Sequence, residues 1–177
     1  MRNIVLLGFM GAGKTTVAEE LHRIAGLTMI DTDAEIVRQD GRAIADIFRQ
    51  DGESVFRQME TETMERIAAS GSLDSVISVG GGLPLKEINR GLMKKAGHCF
   101  YLKAPAAVLC SRLQNDGSRP VLEGKSGEEL MQHILRLMDQ REAHYMAAAD
   151  TVLDTEGQTP EQTARQILEI MQEERKV

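Results

Sequence analysis

The chain has 177 residues, the size of one domain, which buries about 70% of its unfolded surface and needs neither disulfides nor a structural metal. Hydrophobic residues make up 42% and charged residues 27%, a balance that excludes a disordered chain. A net charge of -6, with 3% aromatic residues and no Trp, argues against a general nucleic-acid binder, which needs a basic face and stacking side chains.

The first third of the chain alternates short apolar runs with helical patterns. Asn3–Leu7 predicts a strand buried on both faces, and Lys14–Ile24 has the apolar spacing of a helix. A second strand is predicted at Leu27–Ile30. The stretch Ile36–Ser70 is predicted to be mostly helical, with breaks at two turn dipeptides, Asp40-Gly41 and Asp51-Gly52.

The same alternation continues to the end of the chain. Strands are predicted at Ser75–Val79, Cys99–Leu102 and Thr151–Leu153. Helices are predicted at Pro105–Leu113, Glu128–Ala149 and Pro160–Glu174, the last with an inward stripe of Ala164, Ile167, Leu168 and Met171. Strands that alternate with helices indicate an α/β fold with a parallel sheet covered on both faces.

The strongest motif lies between the first strand and the first helix. Gly8 to Thr15 reads GFMGAGKT, a match to GxxxxGK[ST] in its required strand–turn–helix context. Glycines let successive backbone N–H groups form an anion nest, Lys14 supplies a charge for the β and γ phosphates, and the Thr15 hydroxyl suits Mg²⁺. The chain lacks the N-K-x-D run that reads guanine, so ATP is the favoured nucleotide.

Two acidic residues close the second predicted strand. Asp31 and Asp33 should face the same crevice as the phosphate loop, because ligands of open α/β sheets bind beyond the carboxyl ends of the strands. One carboxylate would then serve a metal and the other an acceptor hydroxyl. The alternative is an ordinary helix N-cap.

Several further residues are ambiguous when taken alone. Arg57, with Glu60 one turn on, reads by default as an exposed ion pair, and Arg141 as a solvated helix charge. Gly80-Gly81-Gly82 either lets a substrate lie against bare backbone or simply ends a strand. The polar segment Asn115–Ser126 is either a lid that closes Arg119 over the phosphates or a passive surface loop.

Together these motifs resemble the shikimate kinases, which are P-loop enzymes related to the nucleoside monophosphate kinases. The resemblance covers essentially the whole chain. It rests on GFMGAGKTT from Gly8, DTD from Asp31, GRAIADIF from Gly41, DGESVFRQME from Asp51, SVGGG from Ser78, SRPVL from Ser118, REAHY from Arg141 and TP at Thr159-Pro160. It implies a five-stranded parallel sheet of order 2-3-1-4-5, flanked by helices on both faces, with a mobile lid.

The resemblance also implies an activity, the Mg²⁺-dependent transfer of the γ-phosphoryl of ATP to the 3-hydroxyl of shikimate in aromatic amino acid biosynthesis. The implied catalytic residues are Lys14, Asp33 and Arg119. The implied acceptor site is Asp33, Arg57, Gly80, Gly81, Gly82 and Arg141, with both arginines on the substrate carboxylate. The implied nucleotide site is Gly11, Ala12, Gly13, Lys14, Thr15, Thr16, Arg112, Arg119 and Pro160, with Arg112 and Pro160 around adenine. Thr15 and Asp31 match the metal side.

Two departures from the family pattern are small. Val121 stands where the lid usually has Leu, and Ala143 stands where Pro often follows the arginine matched to Arg141. Neither removes a charged group. Two other functions stay open from the residues: a kinase of the same fold for another hydroxylated acid such as gluconate, and a non-catalytic nucleotide-binding module.

The remaining expectations concern organisation and surroundings. We expect a single P-loop kinase domain over residues 1–177, with a lid at about 115–126 and an acceptor-binding helical region at about 33–61. Cys99 and Cys110 are expected to be two buried thiols in a reducing cytoplasm. We expect ATP and shikimate as small-molecule partners, no nucleic acid, no membrane, and a monomer.

Overall fold

A computed structural model describes residues 2–114, 122 and 124–174. Within that part of the chain, parallel strands form one sheet at Ile4–Leu7 (β1), Thr28–Asp31 (β2), Ser75–Ser78 (β3), His98–Lys103 (β4) and Thr151–Asp154 (β5). Their order is β2-β3-β1-β4-β5, which confirms the order that the resemblance implied. All four residues of the central strand β1 are buried, which explains its uninterrupted apolar run.

Helices cover both faces of the sheet, as predicted. Their bounds are Lys14–Ala25 (α1), Thr32–Asp40 (α2), Ile44–Ala69 (α3), Glu87–Ala96 (α4), Ala106–Leu113 (α5), Gly127–Ala148 (α6) and Pro160–Glu174 (α7), with a 3-10 turn at Leu83–Leu85. α1 packs against α7, whereas α4 packs against both α3 and α6. Right-handed crossovers place these two groups on opposite faces.

Both predicted helix breaks are confirmed. Gly41 ends α2 in the left-handed region at φ 84°, and Gly52 interrupts α3 at φ 83° and ψ 170°. Arg42 ties the two breaks together, because its guanidinium lies 2.6 Å from Asp40 and 2.7 Å from Asp51. This pairing fixes the turn that carries the chain from α2 into α3.

Three features differ from the sequence predictions. α4 was not among the helices predicted, and the residues it buries are Asn89 and Met93. α2 begins at Thr32 rather than at Ile36, because Asp31 caps it. Cys99 is buried, but Cys110 on α5 is only partly buried, so the expectation of two buried thiols was half wrong.

The apolar interior has two parts. The main core lies between the sheet and its helices and is centred on β1 and β4. A smaller cluster of Ile36, Ile47 and Phe56 joins α2 to α3, with the Phe48 and Phe56 rings 4.8 Å apart. This cluster lies within the expected acceptor-binding region. Among the residues described, no helix is both long and apolar enough to cross a membrane.

Candidate active site

A cavity of about 420 Å³ lies at the carboxyl end of the sheet. All six predicted nucleotide residues from Gly11 to Thr16 line it. Asp31 and Asp33 line it from the end of β2 and the start of α2, and Gly80 and Gly81 line it from the turn after β3. The sequence-predicted groups therefore converge where parallel strands end, as expected for an open α/β sheet.

The phosphate loop is shaped to bind an anion. Gly13, which precedes α1, takes φ 90°, a conformation that favours glycine, and no side chain caps the helix. The first N–H groups of α1 are therefore available to an anionic ligand and carry the positive end of the helix dipole. The Lys14 ammonium extends along the loop, with Nζ 2.9 Å from the Gly8 carbonyl and 3.1 Å from that of Phe9.

The residues matched to adenine, Arg112 and Pro160, line the same cavity. Arg112, on α5, donates from Nη1 to the Gly11 carbonyl at 2.8 Å, and Pro160 is the first residue of α7. Both line the cavity, together with Thr155 from the segment after β5. Thr155 is held by two hydrogen bonds to the Lys103 carbonyl, at 2.9 Å and 3.0 Å.

The two acidic residues have different local roles. Asp31 is the N-cap of α2, since its Oδ1 accepts the backbone N–H groups of Asp33 and Ala34 at 3.0 Å and 3.1 Å. The capping alternative is therefore confirmed for Asp31, and its Oδ2 takes part in neither bond. Asp33 lies one residue inside the helix and faces Gly80, whose added Cβ would meet Asp33 Oδ1 at 2.6 Å.

Arg57 is largely shielded from solvent and pairs with the buried Glu60, so the default reading as an exposed pair was wrong. The Arg57 and Glu60 side chains are 14% and 1% exposed, and Nη1 lies 2.8 Å from Oε2. Arg57 also pairs with the exposed Glu53 at 2.9 Å. Burial raises the pKa of the Glu60 carboxyl to about 7, although the Arg57 charge acts in the opposite direction.

The glycine turn after β3 makes room for these side chains. An added Cβ at Gly80 would crowd Asp33 and Glu60, and one at Gly82 would clash with the Arg57 guanidinium. The turn is therefore more than the end of a strand. Its bare backbone brings the acceptor-side charges against the edge of the cavity.

Arg141 is also buried, and its reading as a solvated helix charge was wrong. It is 6% exposed, hydrogen-bonds the Tyr145 phenol, and places its Cζ 5.6 Å from the centre of the Phe9 ring. Arg57 and Arg141 are not among the residues that line the cavity. Arg57 lies against Gly82 of the glycine turn, and Arg141 is linked to Gly81 through the Tyr145 hydroxyl. Arg119 and most of the expected lid lie outside the described residues.

Sequence reasoning missed two residues beside the site. Lys86 donates from Nζ to the Arg57 carbonyl at 3.1 Å, and Tyr145 donates from its hydroxyl to the Gly81 carbonyl at 2.7 Å. Tyr145 follows Arg141 by one helical turn, a spacing that could have identified it. Nothing in the local sequence points to Lys86.

Comparisons with known proteins agree on one family. The family model described as shikimate kinase matches residues 10–172. The shikimate kinase of Caldicellulosiruptor bescii is 39% identical over 96% of this chain and 95% of its own length. That of Persephonella marina is 40% identical over 95% of this chain and 98% of its own length. A solved shikimate kinase from Acinetobacter baumannii, in complex with shikimate, superposes with a TM-score of 0.91 at 32% identity, covering 98% of this chain and 94% of that one.

Proposed function

The chain belongs to the shikimate kinase family, and from that premise we propose which of its residues carry the reaction. It is an ATP-dependent kinase, a phosphotransferase that moves the γ-phosphoryl of ATP to the 3-hydroxyl of shikimate and yields shikimate 3-phosphate and ADP. One observation supports the residue assignment above all. Asp33 and the largely buried Arg57 lie against the glycine turn next to the cavity of the phosphate loop, and the buried Arg141 is linked to that turn through the Tyr145 hydroxyl.

Arg57 and Arg141 would hold the shikimate carboxylate. A planar guanidinium binds a carboxylate through two parallel hydrogen bonds, and two such groups explain why buried arginines occur in an otherwise acidic chain. Glu60 neutralises and orients Arg57 from the side away from solvent. Gly80, Gly81 and Gly82 give the substrate ring access to the backbone.

Asp33 would accept or orient the proton of the attacking hydroxyl. It lines the cavity together with the phosphate loop and lies beside Gly80 in the glycine turn. Phosphoryl transfer passes through a loose transition state, so the protein chiefly positions groups and supplies charge. Lys14 and Arg119 would neutralise the phosphoryl oxygens, and the N–H groups from Gly11 to Thr16 would hold the β and γ phosphates.

Thr15 and Asp31 suit a magnesium ion that ATP brings with it. Both line the cavity, and the cap bonds of Asp31 use only Oδ1, which leaves Oδ2 for a cation or its water. Among the described residues no cluster of three or more His, Cys, Asp or Glu side chains could bind a metal. Mg²⁺ fits such a site because it takes most of its ligands from phosphates and water. The ion would neutralise charge on the triphosphate.

The organisation of the chain is part of the proposal. Arg112 and Pro160 would sandwich adenine, residues 115–126 would close as a lid, and residues 33–61 would bind the acceptor, all within one domain. The separate apolar cluster of α2 and α3 supports a distinct acceptor region. We also propose a cytoplasmic monomer without nucleic-acid or membrane partners, since both cysteines are free and one chain supplies the described site.

The test compares two arginines on α3. Arg57→Ala should raise the KM for shikimate at least about tenfold, because it removes a bidentate contact to the acceptor. ATP binding should stay unchanged, since Arg57 does not line the cavity of the phosphate loop. Arg49→Ala is the matched control, since Arg49 is 72% exposed and pairs only locally with Asp46. An unchanged shikimate KM in the Arg57 variant would remove the carboxylate assignment.

A further inference from the structure

Two buried tyrosines pack together beside the acceptor arginines. Tyr101 on β4 is 2% exposed and Tyr145 on α6 is 1% exposed. Their ring centres are 5.2 Å apart at an interplanar angle of 47°. The two residues therefore have matched burial and chemistry, and they differ in what their hydroxyl groups contact.

The Tyr101 hydroxyl has a partner outside the proposed acceptor residues. It donates to Glu142 Oε2 at 2.6 Å, and the other oxygen of that carboxylate accepts from Lys103 Nζ at 2.7 Å. This network joins the end of β4 to α6 at Glu142. Its two hydrogen bonds involve neither the glycine turn nor the Arg141 side chain.

The Tyr145 hydroxyl joins the two parts of the acceptor site. It donates to the Gly81 carbonyl at 2.7 Å, and its oxygen accepts a hydrogen bond from the Arg141 guanidinium one turn earlier on α6. Burial raises the pKa of this phenol, so it keeps the proton that it donates. One buried oxygen thus sets the distance between the arginine of α6 and the turn after β3.

We propose that Tyr145 is a positioning residue for the acceptor, acting through Arg141 and Gly81. The inference rests on the proposed function, in which Arg141 holds the substrate carboxylate. The Arg141 guanidinium also lies over the face of the Phe9 ring, and a cation over a ring has a fixed distance but little fixed rotation. The phenol oxygen supplies the missing direction, so that the free edge of the guanidinium faces the substrate.

The test uses three conservative variants and measures the KM for shikimate, the KM for ATP, kcat and the melting temperature. Tyr145→Phe keeps the ring and removes the oxygen, and it should raise the KM for shikimate about tenfold, the size expected for losing one hydrogen bond to a charged group. The KM for ATP and kcat should stay within about twofold of wild type. Tyr101→Phe, the matched control, should leave the KM for shikimate unchanged.

Arg141→Lys separates a failure of this inference from a failure of the proposed function. A raised KM for shikimate in Arg141→Lys with a wild-type KM in Tyr145→Phe would overturn the positioning role alone. Wild-type values in both would overturn the assignment of Arg141 as well. Two other outcomes would also contradict the inference: a Tyr145→Phe chain that does not fold while Tyr101→Phe does, and a Tyr145→Phe chain that loses affinity equally for both substrates. The inference gives the Tyr145 hydroxyl a role in positioning Arg141, and these outcomes would give it a role in the stability of the fold.

A double variant provides a second measurement. If the phenol acts through the guanidinium, Tyr145→Phe should change the KM for shikimate by less than about twofold in the Arg141→Lys background. A full tenfold effect in that background would show that Tyr145 acts by another route and would overturn the inference.

Discussion

Replacing Gly82 by Ala tests whether the glycine turn exists to admit Arg57. Gly82 has φ -96° and ψ -13°, a conformation that alanine adopts without strain, so the substitution adds only a methyl group. That methyl carbon would lie 2.5 Å from Arg57 Cζ and 2.6 Å from Nη2, whereas ordinary contact begins at 3.4 Å. The guanidinium must therefore move by about 1 Å, and a displacement of that size at a substrate-positioning group costs about 100-fold, or about 2.7 kcal/mol.

The assay is steady-state kinetics with shikimate varied at saturating ATP, and then the reverse. We expect kcat/KM for shikimate to fall about 100-fold with the KM for ATP unchanged, and stability to change little because the methyl displaces the end of a flexible side chain. Gly91→Ala on α4 is the control, since nothing lies within 4 Å of its added Cβ. Wild-type kcat/KM for shikimate in Gly82→Ala would refute the reasoning.

Three further predictions follow from single contacts. The pKa of the Glu60 carboxyl is about 7 in the folded state, against an ordinary value of 4.5. Between these two pH values the folded state holds a proton that the unfolded state has released. The free energy of unfolding should therefore fall as the pH rises from about 4.5 to about 7. Urea unfolding of Glu60→Gln should lack this slope, and an identical slope in both proteins would contradict the assignment. Lys14→Met removes the charge that lies along the phosphate loop and should lower kcat at least about 100-fold. Shikimate binding, measured by calorimetry, should be retained. A kcat within tenfold of wild type would contradict the role of Lys14. Asn3→Ala removes side-chain hydrogen bonds to Ser72, Ala96 and Ser75 at 2.7 Å, 3.0 Å and 3.0 Å. The free energy of unfolding should fall by about 3 kcal/mol, and the KM values for ATP and shikimate should not change. A loss below about 1 kcal/mol would show that water replaces these bonds.

The parts of the fold that depend on local pattern could be predicted from the sequence. β1 and the phosphate loop have a continuous apolar run followed by a glycine motif, and the breaks at Gly41 and Gly52 lie where each glycine takes a positive φ. α4 was missed, and one of its two buried residues is polar. Its buried face carries Asn89, which donates to the Leu83 carbonyl at 2.9 Å, so its polar partner lies outside the helix.

The burial of the acceptor charges could not be predicted from local pairing. Charged residues three or four apart on a helix usually lie in solvent, and it is packing against the glycine turn that distinguishes Arg57 and Glu60 from such a pair. A finer pattern was present. Glu60 falls between Phe56 and Met64 at four-residue spacing, on a buried stripe of α3. Arg141 likewise lies on the buried stripe of α6, seven residues after Ile134 and four before Tyr145. A charge within an apolar stripe indicates a functional group better than a charge with a nearby partner.

The most direct test of the account is the product itself. The chain is incubated with ATP, Mg²⁺ and shikimate and followed by phosphorus NMR. We predict a phosphomonoester that appears one for one with ADP and only when shikimate is present. Release of inorganic phosphate without that phosphomonoester, or the same yield with gluconate in place of shikimate, would contradict it.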